Sequence, residues 1–173
     1  MIKVHGQPVT TNQKHLIYGS KIDDEEMNHQ IVSVIDEMGD VQKNTTNVKA
    51  QMTDWKMADK PGFIKLSYYF REIVKEISLN DHKRVYGMRI KDMWGMKYKS
   101  GDYAITHDHW PALWSMSYYI NPPENGPNIV FPNSKYQVKP MNGLMVIFPA
   151  YVKHEVEKKE FEGYRYVVSA NGY

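Results

Sequence analysis

Two histidines, His107 and His109, stand two residues apart near the middle of this 173-residue chain. Alternate side chains of a β-strand point to the same face, so the sequence predicts that the two imidazoles lie side by side while Asp108 points away. His154 follows about 45 residues later, and Arg165 comes 11 residues after His154. Neutral imidazole is the commonest metal ligand among side chains, and three ligands on one side of an ion leave positions free for substrate and oxygen. The spacing therefore predicts a reactive metal site with an acid-binding pocket beside it.

Each histidine also has an ordinary structural interpretation. Two histidines on one sheet face often bond to backbone or to a carboxylate, and His154 can be a surface residue beside Lys153. The position of His154 argues for more than this, because it follows an apolar run that ends in Phe148-Pro149. A lone polar residue after such a break is predicted to stand at a strand end, near the mouth of a barrel.

Arg165 opens an alternating run in which Arg165, Val167 and Ser169 share one face. An arginine that points into a mostly apolar barrel needs an anion, because an unpaired buried guanidinium is costly. Its planar fork matches a carboxylate in bidentate geometry. A structural Asp or Glu would serve, but the inward-facing positions of the neighbouring predicted strands offer none. The sequence therefore favours a carboxylate that belongs to a ligand.

Another predicted strand has an unusually polar face, which alternation assigns to four residues: Ser115, Ser117, Tyr119 and Asn121. A hydrophobic core requires the opposite pattern, so this face predicts a binding surface. Tyr119 can then give its hydroxyl to the same carboxylate as Arg165.

The chain is rich in aromatic residues, with 13 tyrosines and 4 tryptophans. Most of them are expected in the core and on half-buried strand faces, where aromatic side chains fit the pleat. Trp94, Trp110 and Trp114 nevertheless bracket the histidine strand, and we expect at least one of them to line a substrate cleft. Tyr103, Trp110 and Trp114 are the candidate substrate-binding residues.

Helices are predicted before the site and strands around it. Residues 24–38 and 63–79 place apolar side chains at helical spacing, and Gly39 is able to end the first helix. From residue 84 onward the pattern changes to short strand-like runs separated by Gly- and Pro-rich turns. The predicted strands are 85–94, 104–109, 114–121, 128–132, 143–149 and 165–170. Such a pattern predicts a two-sheet jelly roll or a barrel, with the N-terminal helices over one outer sheet face.

Length and composition indicate one domain, with a helical support region in residues 1–83 and a β core in residues 84–173. The formal charge of +2 is too small to indicate nucleic-acid or membrane binding. No apolar stretch approaches the roughly 20 residues that cross a bilayer, and the N-terminus lacks the apolar segment of a secretory signal. Cysteine is absent, so a metal must be held by nitrogen and oxygen. We expect a cytoplasmic protein.

Five motifs follow one another along the chain: Tyr98-x-x-Gly101-x-Tyr103-x-x-x-His107-x-His109, Tyr118-Tyr119-Ile120-Asn121, Pro140-x-x-Gly143-x-x-x-x-Phe148, His154 and Arg165. Their order and spacing resemble the 2-oxoglutarate-dependent Fe(II) oxygenases. The resemblance is closest to the prolyl-4-hydroxylase-like branch and to small oxygenases of bacteria and phages. It covers roughly residues 85–171, and the helical first half shows only a loose similarity.

The resemblance implies a mainly β fold, the double-stranded β-helix (a cupin-like jelly roll), with N-terminal helices packed on one sheet. It implies that His107 and His154 are iron ligands. It also implies that Arg165, assisted by Tyr119, holds the C5 carboxylate of 2-oxoglutarate. Three further residues are expected beside that cosubstrate: Ser117, Ser169 and Asn171.

The chain departs from the family pattern at position 109, where the usual motif has Asp or Glu. A related subgroup shares the His-x-His form, so we interpret His109 as the third ligand. Asp108 is the alternative carboxylate, but as the next residue on a strand it should face away from His107. An imidazole in place of a carboxylate leaves the site one charge more positive.

By resemblance the activity is hydroxylation by Fe(II), 2-oxoglutarate and O2, with succinate as the second product. A peptidyl proline or another protein side chain is one possible substrate class, and a free amino acid or a modified nucleotide is another. Two alternatives remain open. One is a three-histidine dioxygenase that needs no 2-oxoglutarate, and the other is a non-catalytic, metal-holding jelly-roll binding module.

Overall fold

The computed structural model of the protein describes residues 16–84 and 87–173. The expected absence of a secretory segment, and the first two residues of the predicted strand 85–94, lie outside this part of the chain. Within it, two α-helices and two antiparallel sheets form a mainly β fold. Neither described helix combines the length and the apolar character needed to cross a membrane.

Helix α1, Glu25–Met38, forms where the sequence predicts it. The Asp24 side chain caps its start by accepting a hydrogen bond from the backbone N–H of Met27 at 3.1 Å. Gly39, in the left-handed region at φ 68°, ends it and donates its N–H to the carbonyl of Ile35. The apolar residues at helical spacing form the buried face, so amphipathicity explains why this helix lies on the sheet.

Helix α2, Phe63–His82, extends three residues beyond the predicted end at residue 79. Gly62 precedes it with φ 76°, and a Cβ at this glycine would lie 2.7 Å from the Ile31 side chain. Glycine therefore lets the start of α2 approach α1 closely. Its buried face consists of residues at helical spacing: Phe63, Leu66, Phe70, Val74 and Ile77.

The strands are β1 Tyr18–Lys21, β2 Val48–Lys49, β3 Gln51–Met52, β4 Ile90–Tyr98, β5 Tyr103–His107, β6 Trp114–Ile120, β7 Ile129–Phe131, β8 Tyr136–Val138, β9 Leu144–Pro149, β10 His154–Val156 and β11 Arg165–Gly172. They form a six-stranded sheet in the order β1-β9-β6-β11-β4-β3 and a five-stranded sheet in the order β2-β5-β10-β7-β8. The two sheets enclose one hydrophobic cluster, and a second cluster lies between the six-stranded sheet and the helices. The predicted double-stranded β-helix with helices on one sheet is confirmed.

The first half of the chain is not purely helical, which corrects the predicted division near residue 83. β1 pairs with β9 at the edge of the six-stranded sheet, and β2 and β3 pair with β5 and β4 respectively. β2 and β3 contain only two residues each, too few for alternation to reveal them in the sequence.

Candidate metal centre and anion pocket

The structure brings His107, His109 and His154 together. His154 opens β10 and lies opposite His107, the last residue of β5. His109 stands two residues beyond the strand end, where its backbone N–H donates to the carbonyl of Ala150 at 2.7 Å. The ring centroids are 4.5 to 5.0 Å apart, and one potential ligand atom from each ring lies within 4.8 Å of the others. The three imidazoles can therefore contact one ion.

The path of β5 differs from the sequence prediction, which continued the strand to His109. β5 ends at His107, so simple alternation does not explain why the two imidazoles meet. Between Val156 opposite Ala104 and His154 opposite His107, β5 contains one residue more than β10. This β-bulge lets Ala104 and His107, three residues apart, both face inward.

Backbone carbonyls fix the tautomers of two of the histidines. His107 Nδ1 lies 2.6 Å from the carbonyl oxygen of Ile105, and His154 Nδ1 lies 3.1 Å from that of Val152. A carbonyl can only accept, so each Nδ1 carries the proton and donates it. Each Nε2 then keeps a free lone pair, which is the arrangement a metal-binding imidazole needs.

Burial keeps all three imidazoles neutral. Loss of solvent is the main cause that lowers the pKa of His109 to about 2 and that of His154 to about 3, and neighbouring histidines lower both further. Burial also lowers the pKa of His107. No proton has to leave these rings near neutral pH before a metal binds.

The Asp108 carboxylate is not part of the cluster. Its side chain is exposed, and its Oδ1 accepts a hydrogen bond from the backbone N–H of Trp110 at 3.1 Å. Among the residues that the structure describes, the grouping of potential metal ligands contains the three histidines and no carboxylate.

Arg165 lies at the far end of the same space and is 1% exposed. Its guanidinium lies between two tyrosine rings, 4.9 Å from the Tyr98 centroid and 5.1 Å from the Tyr119 centroid. Burial raises the pKa of Tyr98 to about 12 and also raises that of Tyr119, so neither hydroxyl supplies a negative charge. Within the described chain no carboxylate pairs with Arg165, and its Nε and Nη1 have no hydrogen-bond partner.

The histidines and Arg165 line one cavity between the two sheets. Four buried side-chain polar atoms in the described residues lack a partner: Trp94 Nε1, Tyr119 Oη, Arg165 Nε and Arg165 Nη1. All four belong to residues that line this cavity. Because buried polar groups are nearly always hydrogen-bonded, four unpartnered atoms around one space indicate a site for a ligand.

The residues predicted beside the cosubstrate separate into two groups. Ser117 and Ser169 line the cavity, and their hydroxyl oxygens lie 3.5 Å apart. Asn171 does not line it, because its Oδ1 accepts a hydrogen bond from the Ser115 hydroxyl at 2.8 Å, further along the strands. Asn121 is exposed just beyond the end of β6.

The predicted substrate-binding residues are mostly placed elsewhere. Trp114 lies on the helix-covered face of β6 and contacts Tyr18, with ring centroids 6.0 Å apart, so the expectation that it lines the cleft is corrected. Alternation on β5 turns Tyr103 away from the core because the next residue, Ala104, faces inward. Trp110 is 76% exposed and adjoins His109 in sequence.

Trp94 is the tryptophan that faces the histidines. Its ring lies 5.6 Å from that of His109, and the Trp55 ring packs against it at 4.7 Å. Alternation along β4 also turns Tyr98 to the inner face. This alternation was present in the sequence, and it is the signal that would have identified Trp94 and Tyr98.

An outer groove adjoins the cavity. The two spaces share His107, His109, Trp94 and Val48. The groove is further lined by Trp55, Ile105, Asp108 and residues 45–49. It gives a second molecule a route to the histidines from outside the sandwich.

No protein-family description and no curated protein sequence matches the chain. Solved structures do match the chain, among them the following three. A viral collagen prolyl hydroxylase from Paramecium bursaria Chlorella virus-1, in complex with 2-oxoglutarate, is 18% identical with a TM-score of 0.61, over 90% of this chain and 95% of that one. A prolyl-4-hydroxylase of Pseudomonas putida is 14% identical with a TM-score of 0.70, over 91% and 92% of the two chains. HygX of Streptomyces hygroscopicus, with nickel and 2-oxoglutarate bound, is 12% identical with a TM-score of 0.64, over 91% and 82%.

These similarities define the class of fold. The chain has the double-stranded β-helix of 2-oxoglutarate oxygenase structures, along nearly its whole length.

Proposed function

We propose that this protein is a 2-oxoglutarate-dependent Fe(II) dioxygenase that hydroxylates a C–H bond of its substrate. The observation that carries the proposal is the single cavity lined by three neutral imidazoles and by all unpartnered buried side-chain polar atoms of the described residues. Imidazole lone pairs bind a cation, whereas a buried guanidinium needs an anion. The cavity therefore fits a metal ion together with an anionic chelator.

The donor set fits ferrous iron and 2-oxoglutarate. His107, His109 and His154 would hold the ion and leave its other positions open, because imidazole suits iron as a ligand. Three neutral ligands leave the full 2+ charge of the ion. The metal-bound carboxylate of 2-oxoglutarate would offset one of these charges, and the distal carboxylate would pair with Arg165. When bound together, iron and 2-oxoglutarate supply the activation of oxygen for hydroxylation, with succinate and CO2 as the other products.

Arg165 and Tyr119 would orient the cosubstrate. The unpartnered Nε and Nη1 of Arg165 and the Tyr119 hydroxyl are donors for the distal carboxylate. The rings of Tyr98 and Tyr119 on either side hold the guanidinium in place before the ligand arrives. A preordered site of this kind costs little conformational freedom on binding.

The apolar walls of the cavity would keep water away from the reacting groups. Apolar side chains such as Met96, Ile129 and Val167 line the cavity beside the polar groups and limit water there. The substrate would enter through the outer groove, and Trp110, which is exposed and next to His109 in sequence, would contact it there. We propose a peptidyl proline or another protein side chain as its class, supported by the prolyl hydroxylases among the similar structures. The cytoplasm is the proposed location.

Two other functions agree less well with the cavity. A three-histidine dioxygenase without a cosubstrate leaves the unpaired donors of Arg165 without a role. A non-catalytic module that holds zinc accounts for the histidines but gives no reason for an open groove beside them.

The test replaces Arg165 by methionine, which keeps volume and removes the charge. Arg165→Met should weaken 2-oxoglutarate binding by about 100-fold or more, because hydrogen bonds between charged groups contribute about 1.5–3 kcal/mol each. Fe(II) binding should persist. Binding is measured by anaerobic calorimetry, with Arg71→Met, at an exposed arginine of α2, as the matched control. Equal cosubstrate affinity in both variants would remove Arg165 from the proposed site.

A further inference from the structure

The buried indole N–H of Trp94 has no hydrogen-bond acceptor among the described residues. The side chain is 2% exposed, and its Nε1 is one of the four unpartnered atoms of the cavity. An indole N–H can only donate, and leaving a buried donor unpaired is costly. We therefore expect a bound ligand to supply the acceptor for this N–H group.

The strand register places Trp94 and Arg165 at opposite ends of the cavity. On β4 and β11, Trp94 lies opposite Ser169 and Tyr98 lies opposite Arg165. The two pairs are four residues apart, which is about 13 Å of strand. Because the Trp94 ring also contacts the His109 ring at 5.6 Å, Trp94 belongs to the metal end of the cavity.

The chemistry of a keto acid supplies the acceptor at that end. When a keto acid chelates a metal through its keto oxygen and one carboxylate oxygen, the second carboxylate oxygen remains without a partner and keeps part of the negative charge. A hydrogen bond to such an oxygen is charge-assisted and short. The Trp55 ring, packed edge-on against Trp94 at 4.7 Å, limits rotation of the indole that would donate it.

We propose that Trp94 is a cosubstrate-positioning residue whose Nε1–H donates to the metal-proximal carboxylate of 2-oxoglutarate, while Arg165 holds the distal carboxylate. This inference rests on the proposed function and extends it to a residue outside the histidine and arginine motifs. It means that both ends of the cosubstrate are fixed by the six-stranded sheet, whereas the metal is held by the five-stranded sheet and its connecting turn.

The experiment compares Trp94→Phe with the wild type and with Trp114→Phe, a control tryptophan on the helix-covered face of β6. 2-Oxoglutarate is titrated anaerobically into the Fe(II)-loaded proteins, and the charge-transfer absorbance of the iron–keto acid chelate is recorded. Trp94→Phe should weaken 2-oxoglutarate binding about 10- to 100-fold and shift the absorbance band, since a charged acceptor loses its donor. Fe(II) affinity should stay unchanged, and Trp114→Phe should bind Fe(II) and 2-oxoglutarate as the wild type does.

The outcomes separate the two proposals. If the wild type does not bind 2-oxoglutarate, the proposed function fails and the role of Trp94 fails with it. If the wild type binds and Trp94→Phe binds equally well with an unshifted band, only the role of Trp94 is overturned. A loss confined to Fe(II) affinity also overturns it, because Trp94 would then merely support His109.

A measurement on the unchanged chain covers the case in which Trp94→Phe fails to fold. In the Zn(II)-loaded wild type, the indole N–H proton resonance of Trp94 should move downfield when 2-oxoglutarate binds. A resonance that does not move overturns the hydrogen bond.

Discussion

The two faces of strand β6 contrast in one respect, the satisfaction of their polar groups. Tyr118 and Tyr119 are adjacent, and both are fully buried. On the helix-covered face, the Tyr118 hydroxyl donates to Asn28 Oδ1 of α1 at 2.8 Å. On the inner face, the Tyr119 hydroxyl has no hydrogen-bond partner among the described residues. Strand β6 therefore carries a hydrogen-bonded hydroxyl on one face and, among the described residues, an unpaired hydroxyl on the other.

The difference shows how this fold divides stability from binding. The helix-covered face packs apolar residues closely: a Cβ at Gly95 would lie 2.4 Å from Ile35, so the helix sits directly on the sheet. The inner face has hydrogen-bond donors around the histidines that no described residue pairs with. Burying them unpaired costs folding free energy, which a bound ligand would offset. We interpret the helix-covered face as the source of stability and the inner face as the binding surface.

The largest expected effect comes from removing the two hydroxyls separately. Tyr118→Phe should lower the free energy of unfolding by about 1–3 kcal/mol, because Asn28 is then buried without its donor, and should leave 2-oxoglutarate affinity unchanged. Tyr119→Phe should leave stability nearly unchanged and weaken 2-oxoglutarate binding by about 10-fold. Denaturant titration and anaerobic calorimetry measure the two quantities. Equal stability losses in both variants would abolish the contrast between the faces.

A smaller effect is expected at the start of α1. Asp24→Ala should lower the free energy of unfolding by about 1 kcal/mol at pH 7, through loss of the N-cap. Its hydrogen bond with Lys65 is the main cause that holds the pKa of Asp24 below its usual value, although burial opposes it. A lowered folded-state pKa means that this stabilisation is complete above the unfolded value of about 3.9 and is lost as the pH falls through the folded value.

Unfolding curves of the wild type and Asp24→Ala between pH 7 and acid conditions check this. The difference between the two proteins should shrink below about pH 4. 2-Oxoglutarate affinity at pH 7 should be the same in both. A difference in stability that stays constant into acid would show that the charge of Asp24 contributes nothing.

The sequence predicted the parts of the site that depend on spacing within single strands. Periodic apolar residues located both helices, and alternation on β11 correctly predicted that Arg165 and Ser169 share the inner face. The inward-facing positions of the neighbouring predicted strands offered no acid, and among the described residues no carboxylate pairs with Arg165. The roles of the individual site residues stay predictions.

Features that depend on pairing between strands could not be predicted. The β-bulge that turns His107 inward exists only in the register between β5 and β10. Trp114 was assigned to the cleft although it is on the opposite face from Ser115 and Ser117, and Trp94 was the better choice. Alternation along β4 indicates that Trp94 and Tyr98 share one face, but the contact between Trp94 and His109 depends on tertiary packing, which a single strand's pattern does not contain.

We expect one divalent ion to bind to the three histidines and 2-oxoglutarate to bind beside it. The most direct measurement is calorimetric titration of 2-oxoglutarate into the wild type and His154→Ala, each equilibrated with Mn(II) and assayed for bound metal. The wild type should hold one Mn(II) per chain and bind one 2-oxoglutarate, and His154→Ala should lose both. A wild type that takes up no metal, or a His154→Ala variant that retains both ligands with unchanged affinity, would contradict the account.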